Sequence, residues 1–435
     1  MNAPVLLTLA GLAGCFALIA LQVPVGVAMG IAGVAGFAAL SGLAPALATI
    51  ASEAANQLAS LDLATIPLFV LMGAFAGMAG LSEDLYRLAY ALVGHRRGGL
   101  AMATIGGCAG FGAVCGSSVA TAATFGRASL PSMLSRGYAP GFAAGTVASG
   151  GTLGILIPPS SIMVIYAVLS QELIISLYVA ALVPAAIAVA LHITAIALHT
   201  RRHPSLAPVG PRATAVERWQ AVRRSAPVLT LAATVIGGMA GGVFTATESA
   251  AVGAVMAFGF ALLRRSVTRA ALSQALGGTA STAAMIYVLI IGASLFGTFT
   301  AVTQAPQALV EAVQASGVPV WAAMLALMAL YLVAGAVFDE VAAMVVTLPF
   351  VLPLIRSWGF DPVWWGVINV VVIELGMLIP PLGMNVFVVK GVAPQIPLAD
   401  IYRGVAPYVA SNLVRLGLLL TFPALSLWLP TLLKS

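Results

Sequence analysis

The chain has 435 residues, of which 61% are hydrophobic and only 7% are charged, with a formal net charge of +6. A soluble domain carries about a quarter charged residues, and a soluble fold cannot bury this much apolar surface. The composition therefore excludes an ordinary soluble protein and predicts an all-α polytopic membrane protein, because long apolar runs favour helices over a β-barrel. The basic residues gather in a few joints, as in cytoplasmic loops, so no nucleic-acid partner is expected.

Apolar runs long enough to cross a bilayer follow one another along the chain. No basic residue precedes the first run, which indicates a retained span and not a cleaved signal. Residues 98–134 and 338–355 are apolar but interrupted, which predicts helical hairpins. The predicted spans are residues 3–20, 25–43, 64–80, 141–168, 176–198, 226–243, 247–263, 279–300, 320–337, 363–390 and 406–430.

The same pattern of residues occurs twice, at a constant separation. Pro140 matches Pro362, which lies 222 residues further along the chain. The segment 154–159, Gly-Ile-Leu-Ile-Pro-Pro, matches the segment 376–381, Gly-Met-Leu-Ile-Pro-Pro, at the same separation. Several matches in one register indicate a duplication, because chance similarity between apolar segments would not keep the spacing.

Basic residues indicate how the two copies lie in the membrane. Residues 87–97 contain three arginines, whereas the matching residues 309–319 contain no Lys or Arg. Because basic loops stay cytoplasmic, equivalent joints face opposite sides, which is typical of an inverted-topology repeat. We therefore predict a first repeat over residues 1–200, a basic cytoplasmic linker over 201–224, a second repeat over 225–435, and a periplasmic amino terminus.

Each copy contains a double proline inside an apolar run. Proline lacks an amide donor and restricts the residue before it, so each pair interrupts its helix. Paired broken helices are typical of secondary transporters, which bind substrate and ions at unwound segments near the middle of the bilayer. The predicted broken helices cover about 141–168 and 363–390, beside hairpins at about 98–134 and 320–355. Two hinge kinks without ligands are the alternative.

Hydroxyl and acidic side chains lie inside the predicted hairpins. The first hairpin carries Ser117, Ser118, Thr121 and Thr124, and the repeat partner of Ser117-Ser118 is Asp339-Glu340. Oxygen atoms of these kinds suit a hard cation such as sodium, and acidic residues within a membrane segment are usually functional. Hydrogen bonds between helices and a structural ion pair are the alternatives.

Two further acidic residues, Glu248 and Glu374, lie in apolar surroundings. Glu248 fits better at the start of a helix, where its charge meets the positive end of the helix dipole. The sequence contains no zinc motif, no phosphate-binding loop and no nucleophile elbow. Neither an enzyme nor an ATP-driven pump is therefore expected.

Several of these motifs resemble the large membrane subunit of the TRAP (tripartite ATP-independent periplasmic) transporters, and the resemblance runs nearly from end to end. The segments that carry it are Gly-Ser-Ser-Val-Ala-Thr-Ala-Ala-Thr at 116–124, Arg-Gly-Tyr at 136–138, Gly-Gly-Thr-Leu-Gly-Ile-Leu-Ile-Pro-Pro-Ser at 150–160, Gly-Val-Phe-Thr-Ala-Thr-Glu at 242–248 and Gly-Met-Leu-Ile-Pro-Pro-Leu-Gly-Met-Asn at 376–385. The resemblance implies an elevator-type, sodium-driven importer of small organic acids in a bacterial inner membrane. It also implies two partners, a separate small four-helix membrane subunit and a periplasmic solute-binding protein.

The resemblance also implies where ligands bind. Sodium is expected at the hairpin tips and broken helices, and the substrate beside them. Ile379 stands where the family often has a threonine, so one hydroxyl of the second ion site is missing. The implied sodium residues are Ser117, Ser118, Thr121, Gly154, Pro158, Asp339, Gly376 and Pro380, and the implied substrate residues are Thr152, Ser160 and Asn385.

Two other functions stay open at this point. One is a self-sufficient ion-coupled carboxylate carrier or ion exchanger of the same superfamily, which would need no binding protein. The other is a channel or an intramembrane enzyme, against which the inverted repeat and the missing catalytic motifs argue. No residue identifies the organic acid, because in this design much of the selectivity belongs to the binding protein.

Overall fold

The computed structural model describes residues 3–434, so Met1 and Asn2, where the periplasmic terminus is expected, and Ser435 lie outside the described residues. Regular structure in the described part is helical apart from one isolated bridge between Arg97 and Val209. Nine of its helical stretches are long and apolar enough to cross a membrane. The predicted all-helical membrane fold is confirmed.

The helices fall before and after a short connecting segment, 203–214, that contains only one turn of 3₁₀ helix. Those before it are α1 (Ala3–Ala20), α2 (Val25–Ser41), α3 (Leu43–Ala59), α4 (Leu61–Met78), α5 (Leu81–Val93), α6 (Gly99–Cys115), α7 (Ser118–Ser135), α8 (Pro140–Leu156), α9 (Ser161–Ser170) and α10 (Ile174–Arg202). Those after it are α11 (Ala215–Ala240), α12 (Ala246–Leu263), α13 (Arg269–Val302), α14 (Ala305–Ala315), α15 (Val320–Val337), α16 (Glu340–Ser357), α17 (Pro362–Gly376), α18 (Met384–Val392), α19 (Leu398–Thr421) and α20 (Ala424–Lys434).

Helix boundaries recur at the spacing of the sequence repeat. α7 begins at Ser118 and α16 at Glu340, while α8 begins at Pro140 and α17 at Pro362, so both pairs of starts are 222 residues apart. Contacts between the two groups of helices are reciprocal, since α2 packs on α13 and α4 on α12, while α8 packs on α19 and α17 on α10. The buried apolar residues of the two groups belong to one shared cluster.

Two hairpins and two interrupted helices lie in this shared core. The hairpin of α6 and α7 turns at Gly116-Ser117, and the hairpin of α15 and α16 turns at Phe338-Asp339. The residues that separate α8 from α9 are 157–160, and those that separate α17 from α18 are 377–383. Each of these gaps contains one of the double prolines.

Two of the predicted segments are wrong. Residues 338–355 do not form a hairpin by themselves, because α16 (Glu340–Ser357) is one continuous helix and pairs with α15 to make the second hairpin. Residues 406–430 do not form one helix, because α19 ends at Thr421 and α20 begins at Ala424. Pro423 explains the break, since proline has no amide hydrogen and restricts the residue before it. The apolar composition continues through Phe422, which is why the interruption escaped the hydropathy pattern.

The linker is shorter than the polar segment 201–224 that predicted it. α11 already begins at Ala215, where Thr214 and Glu217 form a capping box that lowers the pKa of the Glu217 carboxyl through hydrogen bonds from Thr214. The remaining linker packs on the base of the first hairpin, where the amide of Ala139 donates to the carbonyl of Leu206 at 3.0 Å. The polar segment 201–224 therefore contains the start of α11 as well as a loop.

Three amphipathic helices, α3, α5 and α14, were not predicted. They are too short or too polar to cross a bilayer, so a search for continuous apolar runs passes over them. α13 also begins at Arg269, well before the predicted start at residue 279, because its first turns are exposed and polar on one side.

Candidate functional site

The tip of the first hairpin is a two-residue turn held by its own hydroxyls. Gly116 has φ 64°, in the left-handed region that favours glycine, and it ends α6. The Ser117 side chain caps α7 by accepting from the amide of Ala120 at 3.3 Å, and Thr121 Oγ1 donates to the carbonyl of Ser117 at 2.7 Å. The tip therefore presents carbonyl and hydroxyl oxygens beside the amino end of a helix.

The first broken helix contacts this tip directly. The amide of Ser161 at the start of α9 donates to the carbonyl of Gly116 at 3.4 Å. A Cβ on Gly154 would lie 2.6 Å from the Ser117 carbonyl oxygen and 2.7 Å from Thr121 Oγ1, so only glycine permits this approach. The structure brings Ser117, Thr121 and Gly154 together.

The second hairpin meets the second break in a related way. The amides of Leu382 and Gly383 both donate to the carbonyl of Ala336 at 3.3 Å, just before the hairpin turn. Gly376, at the end of α17, packs against the backbone of Gly335, because a Cβ there would lie 2.9 Å from the Gly335 Cα. Each broken helix therefore packs against the hairpin of its own copy.

Asp339 lies at the second tip, but its side chain already has a structural partner. Its Oδ1 accepts from the amide of Val341 at 3.0 Å and caps α16, and the residue is exposed. The neighbouring Glu340 has one carboxylate oxygen that is buried without a hydrogen-bond partner among the described residues, and the carboxyl group faces the hydroxyl of Ser118. Glu340 therefore has a buried carboxylate oxygen that the described residues leave unpaired, whereas Asp339 is exposed.

A buried pair of side chains joins the first hairpin of one copy to the second broken helix of the other. Ser118 Oγ donates to Asn385 Oδ1 at 2.9 Å, and Asn385 Nδ2 donates to the carbonyl of Ala148 at 3.2 Å. Ser118 and Asn385 are both fully buried. Asn385 on α18 therefore joins the first hairpin to the first broken helix, whereas the resemblance implied a role for it in substrate binding.

Two of the predicted substrate residues bond to their own backbone. Thr152 Oγ1 donates to the carbonyl of Ser149 at 2.9 Å, and the hydroxyl of Ser160 donates to the carbonyl of Ile155. Both side chains are fully buried. In this conformation these two hydroxyls complete the local structure of the broken helix, and neither presents a free donor to a ligand.

The two breaks differ in exposure. Pro158 and Pro159 are buried, and Tyr178 on α10 covers them by donating from its hydroxyl to the carbonyl of Ser160 at 3.3 Å. Pro380 and Pro381 are exposed, and 47% of the Leu382 surface is accessible. The repeat therefore does not extend to the environment of the breaks, and only the second is uncovered.

A buried ion pair beside the second break was not predicted. Arg415 on α19 contacts Glu374 on α17, and both side chains are completely buried. The sequence singled out Glu374 but not Arg415, although a lone arginine in an apolar run is itself a signal. For Glu248 the predicted helix start is confirmed, since it completes a capping box with Thr245 at the start of α12.

Within residues 3–434, no three His, Cys, Asp or Glu side chains come together as a metal site. The oxygen atoms at the tips and breaks are instead neutral carbonyls, hydroxyls and one amide, together with the carboxylates of Asp339 and Glu340 at the second tip. Such oxygens can accept a hard monovalent cation or hydrogen-bond a polar solute.

The fold and the site define a polytopic helical membrane protein whose two hairpins close two broken helices in its centre. The family model described as "Tripartite ATP-independent periplasmic transporter, DctM component" matches residues 12–425. The chain belongs to this family, the large permeases of TRAP transporters, and is a transport protein and not an enzyme.

Three relatives illustrate the family. The C4-dicarboxylate TRAP transporter large permease protein DctM of Rhodobacter capsulatus is 33% identical over 88% of this chain and 90% of its own length. The isethionate TRAP transporter permease protein DctMQ of Oleidesulfovibrio alaskensis is 32% identical over 95% of this chain and 65% of its own length. The sialic acid TRAP transporter large permease protein SiaM of Vibrio cholerae is 31% identical over 85% of this chain and 86% of its own length.

A solved structure shares the fold. The Alcanivorax borkumensis YdaH transporter, whose crystal structure is described as having an unusual topology, superposes with a TM-score of 0.58. The match covers 98% of this chain and all of the other, at 16% sequence identity, and so concerns the fold alone.

Proposed function

We propose that the chain is the large permease subunit of a sodium-coupled, binding-protein-dependent importer of small organic acids. The relatives named above are described as permeases for C4-dicarboxylates, isethionate and sialic acid, and all three solutes are organic acids. Membership of an ATP-independent family supports coupling to an ion gradient, because the chain has no nucleotide-binding motif to supply energy.

The hydrogen bond between Ser118 and Asn385 is the observation that carries the proposal. It links a hairpin of one copy to the broken helix of the other at a buried position. A carrier needs such a junction, since the ligand site must lie between parts that both change when access alternates. A simple hinge kink would give the two copies no reason to share a buried polar contact here.

For sodium we propose two sites, one in each copy. The first uses the oxygens around Ser117, Ser118, Thr121, Gly154 and Pro158. The second uses those around Asp339, Gly376 and Pro380, with Ile379 contributing no side-chain ligand. Neutral carbonyl and hydroxyl oxygens favour sodium over divalent cations, which require more charge. The substrate carboxylate is proposed to lie between them, near Thr152, Ser160 and Asn385.

We further propose that the two copies are inverted repeats and that the hairpins move together in an elevator mechanism. The basic residues 87–97 and the arginines of the linker support a cytoplasmic location for these joints and a periplasmic amino terminus. The inner membrane of a bacterium is the proposed location, since a periplasmic partner requires it.

Two partners follow from this assignment. The tripartite description of the family supports two partner components besides this chain, and the name of the DctMQ relative joins DctM with a further component. The proposed small subunit has four helices, and a periplasmic solute-binding protein delivers the acid. The chain itself then has no need of a high-affinity site for free substrate.

Uptake by the reconstituted system tests the proposal. The chain would be placed in proteoliposomes with its small subunit, and labelled C4-dicarboxylate, isethionate and sialic acid would be supplied with the cognate binding protein. We expect uptake of one acid under an inward sodium gradient and none when potassium replaces sodium. Uptake without any binding protein would favour the self-sufficient carrier, and flux that ignores the sodium gradient would refute coupling.

A further inference from the structure

Glu374 and Arg415 form an ion pair from which solvent is wholly excluded. The pair joins the last turns of α17 to α19, and the side chains of both residues have 0% exposure. Glu374 lies two residues before Gly376, where α17 ends and the second break begins. A buried charge is costly unless an opposite charge lies beside it. Arg415 therefore determines whether Glu374, and with it the end of α17, is held in place.

The same face of α19 reaches two other helices. Tyr408 shares a hydrogen bond of 2.7 Å with Thr146 on α8, and Ser411 shares one of 2.8 Å with His192 on α10. Residues 408, 411 and 415 lie three and four apart and therefore on one side of a helix. α19 thus joins the first broken helix to the second through buried polar contacts.

The pair is incompletely satisfied by the protein. Glu374 Oε1, Arg415 Nε and Arg415 Nη1 are buried without hydrogen-bond partners among the described residues, as are both amide atoms of Asn412 one turn away. Glu374 lies two residues before Gly376, which belongs to the proposed second ion site, so its charge lies beside that site. A second group able to neutralise this charge would act there too.

We propose that Arg415 is a permanent counter-ion that occupies the role a bound cation would otherwise play at Glu374, and that the pair positions the end of α17 for coupling-ion binding. A buried carboxylate beside an ion site would itself attract a cation. A guanidinium stays protonated under all relevant conditions and cannot leave, so Glu374 binds no transported ion. The inference rests on the proposed function, and it assigns Glu374 and Arg415 as positioning residues that touch neither ion nor substrate.

Sodium titrations of uptake test this inference. Arg415→Gln should leave Glu374 without its partner, so we expect the sodium concentration for half-maximal uptake to change by about tenfold or more, with a steeper sodium dependence. Glu374→Gln with Arg415→Gln removes both charges, and half-saturation should return to within about threefold of wild type. Arg403→Gln is the matched control, because Arg403 lies on the same helix with 82% exposure and forms its ion pair with the exposed neighbour Asp400.

The results separate a positioning role from a purely structural one. Thermal unfolding of each purified variant is measured alongside uptake. A lower unfolding temperature with an unchanged sodium titration in the variants would refute the inference, and so would a double variant as impaired as the worse single one. If Arg415→Gln does not fold, Glu374→Gln and the double variant provide the same comparison. Wild-type uptake driven by another cation would refute the sodium assignment alone, and the titration would then be made with that cation.

Discussion

Ser118 Oγ donates a hydrogen bond of 2.9 Å to Asn385 Oδ1, and this contact connects the first hairpin with the helix after the second break. Because Asn385 also donates to the carbonyl of Ala148, one amide bridges three elements. Substitutions at the two ends of this bond should therefore have similar effects on transport.

Asn385→Ala and Ser118→Ala should each lower uptake, because each leaves a buried partner unsatisfied at a cost of about 1–3 kcal/mol. We expect a reduction of about tenfold in uptake at limiting sodium, and the double variant should be little worse than either single one. Ser135→Ala is the control, since Ser135 lies at the exposed end of the same helix. If the effects of the two substitutions on uptake are additive, the hydrogen bond between Ser118 and Asn385 is not what transport depends on.

Gly154→Ala should displace the first hairpin tip. The added methyl group would lie 2.6 Å from the carbonyl oxygen of Ser117, which is backbone and cannot move away independently. In a free helix position the same change would be favourable by about 0.5–1 kcal/mol, so a loss of sodium activation would reveal the clash. Gly259→Ala in α12, which has nothing within 4 Å of the added Cβ, should leave uptake unchanged. Normal sodium activation in Gly154→Ala would separate Gly154 from the ion site.

Asp339 allows its capping role to be separated from ion binding. Asparagine caps helices about as well as aspartate, whereas alanine costs about 1 kcal/mol. If the carboxylate binds sodium, Asp339→Asn should raise the half-saturating sodium concentration several-fold while leaving the unfolding temperature close to wild type. If it only caps α16, the asparagine variant should behave as wild type and only the alanine variant should lose stability. Sodium titration and thermal unfolding of the two variants distinguish these results.

Cysteine labelling tests the proposed orientation. Ser205 lies in the linker and Ser316 follows α14, and both are exposed. A membrane-impermeant maleimide should label Ser316→Cys in cells whose outer membrane has been permeabilised, and Ser205→Cys only after the inner membrane is disrupted. The native cysteines interfere little, because Cys15 and Cys108 are buried and Cys115 is half-buried. The reverse labelling pattern would invert the topology, with the amino terminus in the cytoplasm.

The sequence located the hairpin tips and breaks because proline and glycine act locally on the backbone. α8 and α17 begin at Pro140 and Pro362, which the repeat had already aligned, and both double prolines fall in gaps between helices. Local chemistry also placed Glu248 at a helix start. These features require no knowledge of neighbouring helices.

Features that depend on packing between distant segments were missed. Arg415 lies 41 residues from Glu374, and no pattern in either helix indicates that they face each other. The same holds for Asn385, whose partners Ser118 and Ala148 belong to the other copy. Amphipathic helices such as α14 were missed for another reason, since only one of their faces is apolar.

In this structure the first break is covered and the second is exposed, and this difference matters for a carrier. The hydroxyl of Tyr178 covers the first break, while Leu382 in the second break is exposed, so two breaks that the repeat makes equivalent have different surroundings in this conformation. If transport exchanges these environments, solute can enter or leave on one side only at any moment. The difference in exposure between the two copies would then prevent the coupling ion from flowing down its gradient through the carrier without solute.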